Sequence, residues 1–203
     1  MHKEILADAQ IALLPMLQSF SQDFGLVGGT AIALHIGHRQ SIDFDLFTNK
    51  PFENLKIRKE ILRWSKIEAV LQDENEQYTI VAGGVKITFL LYPFKIAVTK
   101  IFDAVIPLPD MITLAAMKAY AFGRRSKWKD YVDLYFILKN HHTMKEIAQK
   151  AEELFGVEYN EKLFRVQLAY FEDIDYTEKI MYMPGFETND EVIKKMLITH
   201  SLE

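Results

Sequence analysis

The chain has 203 residues, enough for one sizeable domain or a domain with a helical annex. Its composition, 49% hydrophobic and 26% charged, is that of an ordinary globular protein. A net charge of −4 excludes nucleic-acid binding through overall charge, so RNA or DNA would need a local basic patch, and the lack of cysteine excludes disulfides, thiolate zinc sites and a cysteine nucleophile.

No apolar run reaches the roughly 18 residues of a membrane span. The longest, Tyr131 to Leu138, is short and contains Asp133. Two acids, Glu4 and Asp8, precede any apolar stretch, unlike a signal peptide. The expected setting is the cytoplasm, with no membrane partner.

In chain order, the spacing of Ile5, Leu6, Ala9, Leu13, Leu14 and Leu17 predicts a helix over 3–20, broken or kinked by Pro15. A short strand over 24–27 runs into Gly28-Gly29, and a helix over 30–36 ends at Gly37. Residues 42–47 read as a strand and 54–64 as a helix capped by Asn54. Strands follow at 67–71, 78–82 and 85–92, the last two joined by a Gly83-Gly84 hairpin turn. A further strand is expected over 97–105. From Pro109 the period becomes helical: 111–123, with Asp110 as N-cap and Gly123 as stop, then 129–139, 143–154, 160–172 and 189–198. The division is an α/β core over 1–106 and a helical half over 107–203, packed as one unit.

The most informative stretch is 27–47. On a strand, Asp43 and Asp45 point to one face, about 7 Å apart at Cα, while Ile42, Phe44 and Leu46 face the other way. Two such carboxylates suit a divalent cation that prefers hard oxygen ligands, such as Mg²⁺. The Gly28-Gly29-Thr30 turn at a helix start is suited to hold a phosphate on backbone N–H groups.

Residues 28–47, Gly-Gly-Thr-Ala-Ile-Ala-Leu-His-Ile-Gly-His-Arg-Gln-Ser-Ile-Asp-Phe-Asp-Leu-Phe, resemble the first motif of the AbiEii/AbiGii toxin family of nucleotidyltransferases, within the DNA polymerase beta-like superfamily. Similar matches are Val85 to Phe94, Asp110 to Ala121 with Lys118, Arg124-Arg125, Lys129-Asp130 to Asp133, and Leu168 to Asp173. The resemblance implies an α+β fold: a small mixed β-sheet with flanking helices, then an α-helical C-terminal half. It implies Mg²⁺- or Mn²⁺-dependent transfer of a nucleoside monophosphate from an NTP to a hydroxyl of RNA, such as tRNA, or of a protein. It also implies a toxin role, in an antitoxin pair or in phage defence. By the motif, Asp43 and Asp45 match the metal pair, and Gly28, Gly29 and Thr30 the phosphate turn.

One departure stands out. Many nucleotidyltransferases carry a third carboxylate on a later strand, as base for the attacking hydroxyl. The counterpart here, Lys86-Ile87-Thr88, has no acid. Asp73, Glu76 or Asp103 could substitute, the proton could pass to water, or catalysis could have lapsed, leaving a binding module for a nucleotide or partner protein. A kinase-like phosphotransferase would use the same two acids.

Each feature also has a plainer reading. Asp43 and Asp45 could be the wet face of an edge strand, Gly28-Gly29 a tight turn and Thr30 an N-cap. Arg39 and Ser41, just before the acids, either make a surface ion pair and a turn or help hold a phosphate. Lys118, alone in an apolar helix, must pair or serve a site. Its choices are a buried Lys118–Asp133 pair or charge neutralisation as pyrophosphate leaves. Asp130 and Asp133 share a helix side, and Arg125 and Lys129 belong to a basic cluster with Lys127 around Trp128. That cluster is either a solvated loop or a hold on phosphates or RNA. His35, His38, His141 and His142 lack zinc-site geometry and are expected at the surface or at helix ends.

Overall fold

The computed structural model describes residues 1–122 and 127–203. The N-terminal helical stretch is divided: a 3₁₀ turn at Lys3–Ile5, then α1 (Asp8–Ala12) and α2 (Leu14–Ser19), separated at Leu13. Pro15 lies in the first turn of α2, where its missing N–H costs no helical bond. Strand β1 (Gly25–Val27) runs directly into α3 (Gly28–Ile36), which ends at Gly37 in left-handed conformation. Then come β2 (Asp43–Thr48), α4 (Asn54–Ile61) and three strands, β3 (Ile67–Glu74), β4 (Gln77–Ala82) and β5 (Val85–Leu91). The cap of α4 is Glu53, not Asn54, whose amide instead donates to Asp73 and to the Glu74 carbonyl of the edge strand.

These strands form one mixed sheet in the order β1-β2-β5-β4-β3, with only β2 and β5 parallel. Gly83 and Gly84 both have positive φ, the geometry of a two-residue hairpin. Strand β3 forms one edge and carries two register irregularities along its pairing with β4. The strand expected over 97–105 is instead a ribbon of two short strands, β6 (Lys100–Phe102) and β7 (Ile106–Leu108). Asp103 and Ala104 turn the chain with positive φ, a conformation short polar side chains such as Asp tolerate.

The helical half comprises α5 (Met111–Ala121), α6 (Trp128–Asn140), α7 (Met144–Phe155), α8 (Glu161–Leu168) and α9 (Asp190–Ser201). Asp110 caps α5 through the Thr113 amide at 3.0 Å, as expected. Thr143 and Glu146 form a reciprocal capping box on α7. The expected stop at Gly123 lies outside the described residues. Helix α3 packs against α5 and α6, and one apolar cluster runs from Ile5 to Leu197.

The sheet's two faces differ in kind. Phe44 and Leu46 of β2, Ile87 and Phe89 of β5, and Tyr78 and Ile80 of β4 fill the core side. Phe89 meets Phe20 and Phe24 edge-on, with centroids 4.9 and 5.2 Å away. The alternate residues, Asp43, Asp45, Lys86, Thr88, Thr79 and Gln77, line a cleft facing the helical half. The period-2 alternation of the strand thus sets aside one sheet face for chemistry.

Candidate active site

The cleft holds about 750 Å³, within the range of small-ligand sites. Its floor is the polar sheet face, and its far wall is built from Leu114, Met117, Lys118 and Ala121 of α5 and Lys129 and Asp130 of α6. The antiparallel register of β1 on β2 places Val27 beside Asp45, so the Gly28-Gly29 turn opens against the carboxylate. Gly28 has φ of +74°. A Cβ there would collide with the Asp45 carboxylate oxygen, so two independent reasons require glycine. No side chain caps the first turn of α3 among the described residues.

Thr30 and Ser41 hold this corner together. Their hydroxyls lie 2.8 Å apart, and Thr30 donates to the Asp43 carbonyl, tying the start of α3 to the start of β2. The Asp43 carboxylate accepts from Lys86 Nζ at 2.6 Å, one strand away, with Lys129 Nζ at 4.0 Å. Lys129 also pairs with Glu178, which pairs in turn with Lys127. The result is a row of alternating charge along the cleft: Lys86, Asp43, Lys129, Glu178, Lys127.

Behind this row lies a sealed cluster. Asp133, fully buried, accepts from Arg39 Nε at 2.7 Å and Nη2 at 2.9 Å, from His38 Nε2 at 2.8 Å and from Lys118 Nζ at 2.8 Å. Lys118 also reaches Asp130 at 2.7 Å. Among the described residues the cluster holds two cations and two carboxylates. Burial opposes ionisation of Asp133, but the charges of Arg39 and Lys118 outweigh it and hold the carboxyl well below the usual carboxylate range. Burial pushes His38 below its ordinary value despite Asp133, so the imidazole is neutral near pH 7. Asp133 raises Arg39 against the opposing effect of burial.

Gly28, Gly29, Thr30, Ser41, Asp43, Asp45, Lys118, Lys129 and Asp130 all line the cleft. Arg39 and Asp133 meet each other instead, beneath its wall. Lys118 is buried and paired, as its plainer reading expects, and it also lines the cleft. Arg125 lies outside the described residues. His38 follows the Gly37 cap at the end of α3, but it is buried and not at the surface, because Asp133 gives its N–H a buried acceptor. His35 lies near the end of α3, half-buried, and bonds the Pro109 carbonyl.

The strand carrying the expected third acid is β5. Its register sets Thr88 beside Asp45 and Lys86 beside Asp43. Neither Asp73, bonded to Asn54, nor Asp103, paired with Lys3, lines the cleft, and nor does Glu76. Sequence reading missed Lys86 as a partner of Asp43 and missed Glu178 altogether. A lysine two residues before Thr88, in a strand otherwise apolar, was the available signal for the first.

The comparisons agree with this architecture. The chain is 33% identical over 181 residues to an uncharacterized protein of Aquifex aeolicus (strain VF5), covering 85% of each. Among solved structures, a putative nucleotidyltransferase from H. pylori superposes with a TM-score of 0.66 at 14% identity, over 96% of this chain and 92% of that one. JHP933 from Helicobacter pylori gives 0.63 at 14% identity, over 97% and 92%. MenT4, a nucleotidyltransferase toxin from Mycobacterium tuberculosis H37Rv, gives 0.60 at 12% identity, over 96% and 83%. At these identities the structures show the shared fold. The family model described as nucleotidyl transferase AbiEii toxin, type IV TA system, matches residues 13–197, and the chain belongs to this family of nucleotidyltransferases.

Proposed function

We propose that the protein transfers a nucleoside monophosphate from an NTP to a hydroxyl of RNA or protein, with Asp43 and Asp45 as the metal ligands. The observation that carries this reading is the placement of both carboxylates on one sheet face, with Asp45 against the Gly28 turn. The donor set fits Mg²⁺ or Mn²⁺. It is all oxygen, and Mg²⁺ commonly takes one or two carboxylates and completes its shell with phosphates and water. When bound, the ion supplies charge neutralisation on the phosphates at the reacting centre.

The chain's own groups supply position and countercharge, which is most of what phosphoryl-type transfer demands. The Gly28-Gly29-Thr30 turn lies where backbone amides can meet the β- and γ-phosphates. Lys118, held by Asp130 and Asp133, presents a positive charge at the cleft wall for the departing pyrophosphate. Arg39 supports that lysine by sharing Asp133, and Ser41 supports the turn by bonding Thr30. With Thr88 beside Asp45, the acceptor hydroxyl passes its proton to water. The family's toxin role adds a cognate antitoxin as the expected protein partner.

The test is incubation with NTPs labelled at the α- or γ-phosphate, Mg²⁺, and total RNA or protein. Label from the α-phosphate on an acceptor supports the proposal. Label only from the γ-phosphate means a kinase, and nucleotide binding without transfer means a binding module. Either result overturns it.

A further inference from the structure

Glu178 lies between α8 and α9, yet it is not a loose surface acid. The segment around it is pinned on both sides. On one side, Trp128 N–H donates to the Asp175 carbonyl at 3.1 Å, the backbones of Lys127 and Asp175 form a parallel β-bridge, and the Tyr176 ring lies against Trp128. Thr177 closes a turn onto the Asp175 carboxylate through its amide and hydroxyl. On the other side, Gln40 N–H donates to the Met181 carbonyl and Met183 N–H to the His38 carbonyl. Between these anchors the Glu178 carboxylate takes both Lys127 Nζ and Lys129 Nζ. Both lysines line the cleft that holds Asp43, Asp45 and the Gly28 turn.

We infer that Lys127 and Lys129 form an anion-binding subsite for a phosphate group, and that Glu178 occupies it as an internal stand-in until phosphate displaces it. Two ammonium groups face one singly charged carboxylate. The same cleft holds Lys86 with Asp43 and Asp45, so Glu178 is the carboxylate that serves Lys127 and Lys129 together. A terminal phosphate bears more charge and three free oxygens, and satisfies two lysines better than one carboxylate does, whereas a backbone phosphodiester matches the carboxylate in charge and free oxygens. The pair is part-exposed, so exchange does not require burying an unpaired charge. Glu178 is unsuited to the missing general base, because the two lysines outweigh burial and lower its pKa to about 2. The phosphate comes either from a nucleoside triphosphate or from the backbone of an acceptor strand.

The subsite deepens the proposed transfer reaction, but its test uses neither metal nor turnover. Equilibrium binding of inorganic pyrophosphate, an NTP and a short oligoribonucleotide is measured in EDTA at low salt. The proteins are the parent chain, E178Q, E178D and the double variant K127Q/K129Q, each checked by thermal melting. E178Q is expected to bind pyrophosphate about threefold to tenfold tighter, the scale of releasing two part-exposed ion pairs. E178D keeps the charge and stays near the parent. K127Q/K129Q binds more weakly than the parent. The same gain for the NTP identifies the triphosphate as ligand, and a gain for the oligoribonucleotide alone identifies an acceptor phosphate. Unchanged or weaker pyrophosphate binding by E178Q, or unchanged binding by K127Q/K129Q, overturns the inference. If E178Q is too unstable to assay, E178K carries the same expectation with a larger gain. A protein that transfers nucleotide but shows no E178Q effect sinks only the subsite. One that shows the effect without transfer sinks only the reaction.

Discussion

Two charged clusters stand side by side and differ mainly in water. In the cluster of Arg39, His38, Asp133, Lys118 and Asp130, every contact falls between 2.7 and 2.9 Å and Asp133 is 0% exposed. In the row from Lys86 to Lys127 the partners are of the same kinds, but the Glu178 side chain is 33% exposed. A sealed pair that loses a partner leaves a buried charge, whereas an open one trades its partner for water or a ligand. The first arrangement fixes geometry. The second can exchange ions, and it contains Asp43.

The largest expected effect tests the sealed side. Asp133→Asn strands Arg39, leaves Lys118 with Asp130 alone, and should cost about 3–5 kcal/mol of stability, read by chemical denaturation. The Asp133 carboxyl titrates well below 3.8 in the folded chain. Its contribution is therefore complete above about 3.8 and is lost only as pH falls through the lower folded value. A stability loss of the D133N protein that varied between pH 7 and 8.5, above the range in which the neighbouring His38 titrates, would contradict this. Next, Asp45→Asn on the open side should leave the fold intact and lower nucleotidyl transfer about a hundredfold or more, some 2.7 kcal/mol of barrier. If both variants merely unfolded the protein, the distinction between the clusters would fail.

Smaller effects sharpen the contrast. Gly28→Ala forces a left-handed conformation on a residue with a Cβ, at about 1–2 kcal/mol, and pushes against Asp45. Transfer should fall more than stability does, as shown by comparing activity with the melting curve. The smallest effect is the acid release of Glu178, whose pKa drops from 4.5 to about 2 on folding. Its ion pairs should persist above pH 4.5 and loosen only as pH approaches 2, followed by carboxyl-carbon NMR.

Much of the sheet face was legible. The alternation around Phe44 and Leu46 predicts which side Asp43 and Asp45 take, and the glycine turn predicts where α3 begins. The buried partnership of Lys118 and Asp133 could be read from two charges set in apolar helices. The arrival of Arg39 and His38 at Asp133, 94 and 95 positions away, could not, because no local period encodes a long-range ion pair. Glu178 was hidden for the same reason, since its lysine partners lie 49 and 51 positions away. The ribbon at 100–108 escaped because its turn uses Asp103 and Ala104, not glycine.

The irregular outer strand β3 carries a consequence of its own. It leaves Val70 and Leu71 partly in solvent, where a straight, flat edge would invite a second molecule to continue the hydrogen-bond ladder. Its two slips against β4, and the acids Glu68, Asp73 and Glu74 along it, spoil that template. Protection from sheet-to-sheet growth at high concentration is thus written into the rim farthest from β1.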